Sequence, residues 1–265
     1  AGEIPLTPGV GPARLNPEEQ ALFGRNDGQG RRGFFGKLLG GAVAVAAGNS
    51  LPRSLAAEET DGDGSLALAR DWERAQQGAS WDMTWVDRVT AKHRQVFDAP
   101  EIAEGTIFHQ ARTIIKNYNE IYGTKDSDFS AVLVIRHAAI PMVANDRLWD
   151  ELELGKEFKL KDPETGKPAR RNPFLSTSNP KGAKFGMIWP DGGLDSLIDR
   201  GAITLACNLA LFRLVSMVAK HDQVDNKAAR EKAVANLVPG VILQPSGVFA
   251  VARAEEAGCQ FIRAT

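Results

Sequence analysis

Two short, uninterrupted apolar runs constrain the fold of this chain more than any other feature. Residues 131–135 read AVLVI, and residues 202–207 read AITLAC. A strand that is apolar at every position is typical of a central parallel strand, which is buried on both faces. The second run leads into residues 209–220, whose apolar side chains recur at helical spacing. Since parallel strands are joined by such crossover helices, the pair predicts an α/β fold.

The flanking sequence continues this alternation. Further strands are predicted at residues 92–98, 241–244 and 259–263. Further helices are predicted near residues 107–122, 227–237 and 247–257, the last with Ser246 as its N-cap. This order predicts a parallel sheet with helices on both faces, because right-handed crossovers place them there.

Residues 152–201 form an insertion too long for a single connection between a strand and a helix. Residues 157–161 and 168–174 flank the turn sequence DPETG at residues 162–166. The pattern indicates a hairpin, and we expect the insertion to form a flap over one sheet edge.

The N-terminal region contains a paired arginine followed by a mildly apolar run. The pattern consists of Arg31, Arg32, Phe34, Phe35 and Lys37. It resembles a twin-arginine (Tat) export signal, which implies recognition by the Tat machinery and a periplasmic location. Small residues favour cleavage after residue 56. Alternatively, residues 34–51 are retained as a membrane anchor, with residues 1–33 in the cytoplasm and the remainder on the periplasmic side.

These features divide the chain into four parts. Residues 1–30 are predicted to be an extended or disordered arm, 31–56 the signal or anchor, 57–87 a linker, and 88–265 the folded domain with its insertion. Three tryptophans (Trp72, Trp81 and Trp85) precede this domain. They either dock on a partner or pack against their own sheet, and the sequence leaves both open.

Charge and motifs exclude several classes of function. The chain has 32 Lys and Arg against 33 Asp and Glu, so a basic nucleic-acid binder is excluded. It has no GxSxG elbow, Walker loop or HExxH motif, and its four histidines lack metal-ligand spacing. We therefore expect no metal and no cofactor.

The candidate site residues lie where the predicted strands end, because ligands of open α/β sheets bind at the carboxyl edge. A thiol beside a histidine and a helix N-terminus suits nucleophilic chemistry, so Cys207 and His137 are the candidate catalytic residues. The candidate ligand-binding residues are Asp98, Asn208, Ser246 and Gly247.

Each of these residues also has a purely structural interpretation. Cys207 is then a buried small hydrophobe, His137 a hydrogen-bonded structural histidine, and Ser246 only an N-cap. Cys207 ends one strand while Cys259 starts another, so we predict that they lie beyond the roughly 7 Å limit of a disulfide.

The C-terminal half also carries a family resemblance. Residues 237–241 (LVPGV), 245–248 (PSGV) and 254–258 (AEEAG), with Ala206-Cys207-Asn208 upstream, resemble the DsrE/DsrF-like, sulfur-relay related family. The resemblance covers about residues 88–265, interrupted by the insertion. It implies a flavodoxin-like three-layer α/β/α sandwich that is often oligomeric. It also implies a persulfide on Cys207, as some members carry one on the aligned cysteine.

Two functions follow from this reading. In the first, which the long extensions favour, the protein is a non-catalytic accessory subunit that binds other proteins of a membrane complex on the periplasmic face. In the second, it is a soluble periplasmic sulfur carrier or thiol transferase that uses Cys207 with help from His137.

Overall fold

The computed structural model describes residues 80–162, 164–178 and 189–265. The predicted arm, the export signal or anchor, and most of the predicted linker lie outside these residues. Within the described ranges, no helix is both long and apolar enough to cross a membrane.

A five-stranded, all-parallel sheet forms the centre of the described residues. All seven residues of its central strand are buried, as the continuous apolar run predicts. The strand order is β4-β3-β2-β1-β5, with β1 at His93–Ala99, β2 at Phe129–Ile135, β3 at Ile203–Cys207, β4 at Val241–Gln244 and β5 at Gln260–Arg263.

The helices of the described residues connect these strands. Their bounds are α1 Thr106–Tyr122, α2 Asp146–Glu151, α3 Leu154–Glu157, α4 Leu194–Asp199, α5 Asn208–Asp222, α6 Asn226–Ala235 and α7 Gly247–Glu256. Short 3-10 helices lie at Thr84–Arg88, Ala103–Gly105, Asp126–Asp128 and His137–Val143. The α/β class and the helices on both faces of the sheet are confirmed.

The two faces of the sheet are covered unequally. The larger core packs α1, α5, α6 and the helices of the insertion on one face. On the other face, Val96, Val132 and Leu205 contact α7 and the indole of Trp85. This asymmetry follows from the strand order. The chain moves stepwise from β1 to β4 and then returns past β1 to β5, so the last right-handed crossover covers the opposite face.

The change of direction opens a crevice at one point of the sheet. The chain leaves β3 toward one face and leaves the adjacent β4 toward the other. Open α/β sheets bind ligands at such a switch point. The order differs from the flavodoxin order 2-1-3-4-5, in which the switch lies between β1 and β3. The crevice of this protein therefore lies between Cys207 and Gln244, which are paired across the two strands.

The insertion is part of the core, so the predicted flap over a sheet edge is wrong. Leu154, Phe174 and Leu194 are fully buried and belong to the larger core. The hairpin is reduced to one antiparallel bridge, between Lys161 and Pro168. Helix α2, just before the insertion, and helices α3 and α4 within it each contribute a fully buried leucine to this core, namely Leu148, Leu154 and Leu197.

The packed domain begins upstream of residue 88. Trp85 is fully buried and lies in the smaller core together with Val89. Of the two interpretations left open for this tryptophan, packing against its own sheet is therefore confirmed. Residues 84–88, predicted to be linker, belong to the domain.

Candidate functional site

A cavity of about 270 Å³ occupies the crevice between β3 and β4. Four of the six predicted site residues line it: Cys207, His137, Ser246 and Gly247. The remaining lining residues are Arg136, Leu209, Ala210 and Val248. The carboxyl-edge rule thus brings the candidate thiol, the histidine and the start of α7 into one place.

Cys207 occupies the junction between β3 and α5. It is the last residue of the strand and the N-cap of the helix, and its Sγ accepts a hydrogen bond from the Ala210 N–H at 3.4 Å. Only 6% of the residue is exposed, and that surface faces the cavity. The positive end of the helix dipole favours negative charge on this sulfur. The thiol therefore lies at a helix N-terminus and in the wall of the cavity.

Arg136 lines the cavity, although it was not among the predicted site residues. Its guanidinium donates two hydrogen bonds to the Asp98 carboxylate, Nε to Oδ1 at 2.7 Å and Nη2 to Oδ2 at 2.8 Å. These hydrogen bonds raise the pKa of Arg136, and the nearby Cys207 sulfur adds a smaller electrostatic contribution in the same direction. A fixed cation thus lies beside the thiol.

Asp98 has a different role from the predicted one. Its side chain is 8% exposed, and both of its oxygens accept hydrogen bonds from Arg136. Asp98 therefore positions the arginine and does not line the cavity. The register of the sheet explains the pairing, because Asp98 lies opposite Val134 and Arg136 follows two residues later. A buried carboxylate at a strand end requires a cation close by.

Gly247 is required by the close approach of α7 to Arg136. A Cβ at this position would lie 2.5 Å from the Arg136 Cβ and 2.6 Å from its Cδ. The Ser246 hydroxyl accepts a hydrogen bond from the Phe249 N–H at 3.2 Å, so the N-cap interpretation of Ser246 is confirmed. The start of α7 therefore holds the arginine against the cavity wall.

His137 lies at the exposed lip of the cavity. Its backbone has a φ of +50°, in the left-handed region that non-glycine residues rarely adopt. Within the described part of the chain its imidazole makes no hydrogen bond, so the expected structural hydrogen bond is absent there. Its role as a base for Cys207 stays a prediction.

Asn208 is turned away from the cavity. Its side chain is fully buried, and its Oδ1 accepts a hydrogen bond from Arg230 of α6 at 2.7 Å. The sequence places this residue next to Cys207, but the first turn of α5 directs the two side chains differently. Asn208 thus links α5 to α6 and is not among the residues that line the cavity.

The second cysteine lies at the other end of the sheet. Cys259 precedes β5, and Cys207 ends β3; β2 and β1 lie between the two strands. Three strand spacings amount to roughly 14 Å, so a disulfide cannot form, and both thiols are free. Burial raises the pKa of the Cys259 thiol to about 11.

The comparisons with known proteins leave the family open. No protein-family model matches the chain, and no curated protein matches it. Among solved structures, it is similar to MTH1491 from Methanobacterium thermoautotrophicum, a protein of unknown function, at 16% identity and a TM-score of 0.31. The match covers 64% of this chain and 98% of that one. No group of three or more potential metal ligands occurs within the described residues.

Proposed function

We propose that this protein is a sulfur carrier that holds a persulfide on Cys207. The observation that carries the proposal is the position of Sγ, which caps α5, lies beside Arg136 and faces the cavity. The helix N-terminus and Arg136 supply positive electrostatic potential at the sulfur, and the cavity has room for a second sulfur atom. A volume of about 270 Å³ is several times the roughly 30 Å³ share of one water molecule.

The transfer step is an exchange between two sulfur centres. The Cys207 thiolate attacks the outer sulfur of a donor persulfide, R–S–S⁻. The S–S bond of the donor breaks, R–S⁻ leaves with the bonding electron pair, and Cys207 becomes Cys207–S–S⁻. The reverse exchange with an acceptor thiolate restores Cys207, so no external oxidant or reductant is consumed. In this proposal, His137 at the edge of the cavity takes the proton of an incoming acceptor thiol.

Two structural findings favour the carrier function over the accessory function. The insertion, which the sequence suggested as partner-binding surface, supplies Leu154, Phe174 and Leu194 to the core. The indole of Trp85 is likewise buried in its own domain. In the residues that the structure describes, both features therefore contribute to the core.

The accessory function remains a second candidate because the mouth of the cavity is apolar. Leu209 is 48% exposed, Val248 65% and Phe249 38%, and they lie at the starts of α5 and α7. Exposed apolar residues around a crevice are typical of protein contact sites. In this proposal they bind a protein of a periplasmic membrane complex or a second copy of the chain, after export through the Tat signal at residues 31–37.

Loading with a small persulfide donor tests the carrier function. The purified chain is incubated with the donor, and its intact mass is measured without reducing agent. We expect one added sulfur atom in the wild type and in Cys259→Ser, and none in Cys207→Ser. Loading of Cys207→Ser equal to that of the wild type would refute the carrier function. Unchanged binding of partner proteins by Cys207→Ser, with no loading in any variant, would favour the accessory function.

A further inference from the structure

Carbon groups form much of the wall of the cavity at the candidate site. Leu209 and Val248, each the second residue of its helix, line the cavity and are 48% and 65% exposed. Ala210 and Gly247 also line it and add no polar side-chain group. The carbon stem of Arg136 packs against Gly247. A molecule in this cavity therefore contacts mainly aliphatic surface.

Most polar side chains of the lining already have partners within the protein. The Ser246 hydroxyl accepts a hydrogen bond from the backbone of α7, and the Cys207 sulfur accepts one from the backbone of α5. Arg136 donates two hydrogen bonds to Asp98, whose carboxylate balances its charge. The remaining polar side chain is His137, which serves the incoming thiol in the proposed exchange. A charged organic group in the cavity would thus lose its water and meet mainly carbon, which is unfavourable.

The sulfur end of the cavity has the opposite character. The N-terminus of α5 and the nearby Arg136 supply positive electrostatic potential at the Cys207 sulfur. The ligand that matches both ends has two unlike parts. An anionic sulfur reaches Cys207, and an uncharged, apolar body contacts Leu209 and Val248.

We propose that the sulfur donor of Cys207 is the persulfide of a small apolar thiol, and that Leu209 and Val248 select it over persulfides with charged bodies. This inference rests on the carrier function and names its substrate class. In the exchange, the Cys207 thiolate takes the outer sulfur of R–S–S⁻, and the apolar R–S⁻ leaves with the bonding electron pair. The cavity of about 270 Å³ equals the share of about nine water molecules at roughly 30 Å³ each, which suits a body of a few carbon atoms.

Three maleimides with the same reactive group test the selectivity without any sulfur transfer. The reagents are N-ethylmaleimide, its hydroxyethyl analogue and its carboxyethyl analogue. Peptide mass spectrometry gives the alkylation rate of Cys207 in the full chain, and each rate is divided by the rate in urea. We expect the ethyl reagent to be favoured at least about tenfold over the carboxyethyl reagent and about threefold over the hydroxyethyl reagent.

Variants at the opening of the cavity assign this selectivity to particular side chains. Leu209→Gln and Val248→Gln should each lower the preference for the ethyl reagent at least about threefold. Both side chains are exposed, so we expect both variants to fold. The matched control is Ile121→Gln, which replaces a 71% exposed apolar side chain at the end of α1 and should leave the preference unchanged.

Two results with the maleimides would overturn the proposal. The first is equal corrected rates for the ethyl and hydroxyethyl reagents, which would show that the apolar wall selects nothing. The second is an equal loss of preference in Ile121→Gln and in the two site variants.

Loading with two persulfides separates this proposal from the carrier function. We expect the persulfide of butanethiol to load Cys207 at least about tenfold faster than glutathione persulfide, measured by intact mass. Equal loading from both donors would overturn the selectivity and leave the carrier function intact. A preference for the ethyl maleimide with no loading from either donor would overturn the carrier function, and with it this donor.

Discussion

The two cysteines of this chain lie at opposite ends of one sheet and differ in their surroundings. Cys207 ends β3, caps α5 and faces a cavity beside Arg136. Cys259 precedes β5, and burial raises the pKa of its thiol to about 11. Both are almost equally buried, at 6% and 7% exposure. At equal solvent exposure, the two thiols differ in their neighbours: Cys207 has a helix N-terminus, an arginine and a cavity beside it, and Cys259 has a raised pKa.

The largest expected effect is the difference in thiol alkylation between the two sites. At neutral pH, we expect iodoacetamide to modify Cys207 at least one hundred times faster than Cys259, because Cys207 lines a cavity at a helix N-terminus while burial raises the pKa of Cys259. Peptide mass spectrometry of the native protein measures both rates in one sample. Unfolding in urea should make the two alkylation rates similar. Equal rates in the folded protein would contradict the predicted difference between the two thiols.

The next effect concerns the ion pair that holds Arg136. Asp98→Asn leaves a partly buried guanidinium without its counter-charge, so we expect the free energy of unfolding to fall by about 3 kcal/mol. The alkylation rate of Cys207 should change as well, while the alkylation rate of Cys259 stays the same. Urea denaturation measures the stability.

Asp191→Asn is the matched control for this variant. Asp191 also binds an arginine through two hydrogen bonds, to Arg112, but its side chain is 63% exposed. We expect a loss within about 1 kcal/mol, as for surface ion pairs. Equal losses in the two variants would show that Asp98 is an ordinary surface partner.

A smaller effect is expected at the start of α7. Gly247→Ala places a Cβ against the Arg136 Cβ, which is attached to the backbone and cannot rotate away. The helix must shift, at a cost of about 1–3 kcal/mol, and the cavity changes shape. We expect slower alkylation of Cys207, measured with the stability of the same variant. If the alkylation rate of Cys207 is unchanged although the stability falls by the full amount, the position of Arg136 does not affect the reactivity of the thiol.

The last effect is a pH dependence assigned to Cys259, which is gradual and confined to alkaline pH. Its pKa rises from the ordinary value of 9.0 to about 11 in the folded state, since burial disfavours the thiolate. Between these values the unfolded chain binds fewer protons, so the free energy of unfolding falls as the pH rises, by at most about 1.4 kcal/mol per pH unit. Cys259→Ala should lack this component and Cys207→Ser should retain it. An identical pH dependence in both variants would contradict the assignment.

Much of the fold was predictable because most helices and strands have a characteristic local pattern of apolar residues. The apolar run of β2 and the apolar spacing of α5 and α7 led to bounds within about two residues, and the N-cap role of Ser246 was correct. The insertion was not predictable in the same way. Its apolar residues are spread over short helices and irregular chain, so only their tertiary contacts show that they complete the core.

The candidate site was predictable in position but not in its contacts. The carboxyl-edge rule located Cys207, His137 and Gly247 at one cavity. The rule cannot state which side chains turn inward, and so it included Asp98 and Asn208, which bind Arg136 and Arg230 instead. These ion-pair and hydrogen-bond partners depend on distances between strands and helices that no sequence spacing encodes.

The modification state of the native protein tests the central claim most directly. The protein is isolated from its own cells without reducing agent, blocked with an alkylating reagent and digested, and the two cysteine peptides are weighed. If Cys207 carries sulfur, we expect one additional sulfur atom on the peptide that contains Cys207 and an unmodified Cys259. Cys207 without added sulfur in every growth condition, or added sulfur on Cys259 alone, would contradict it.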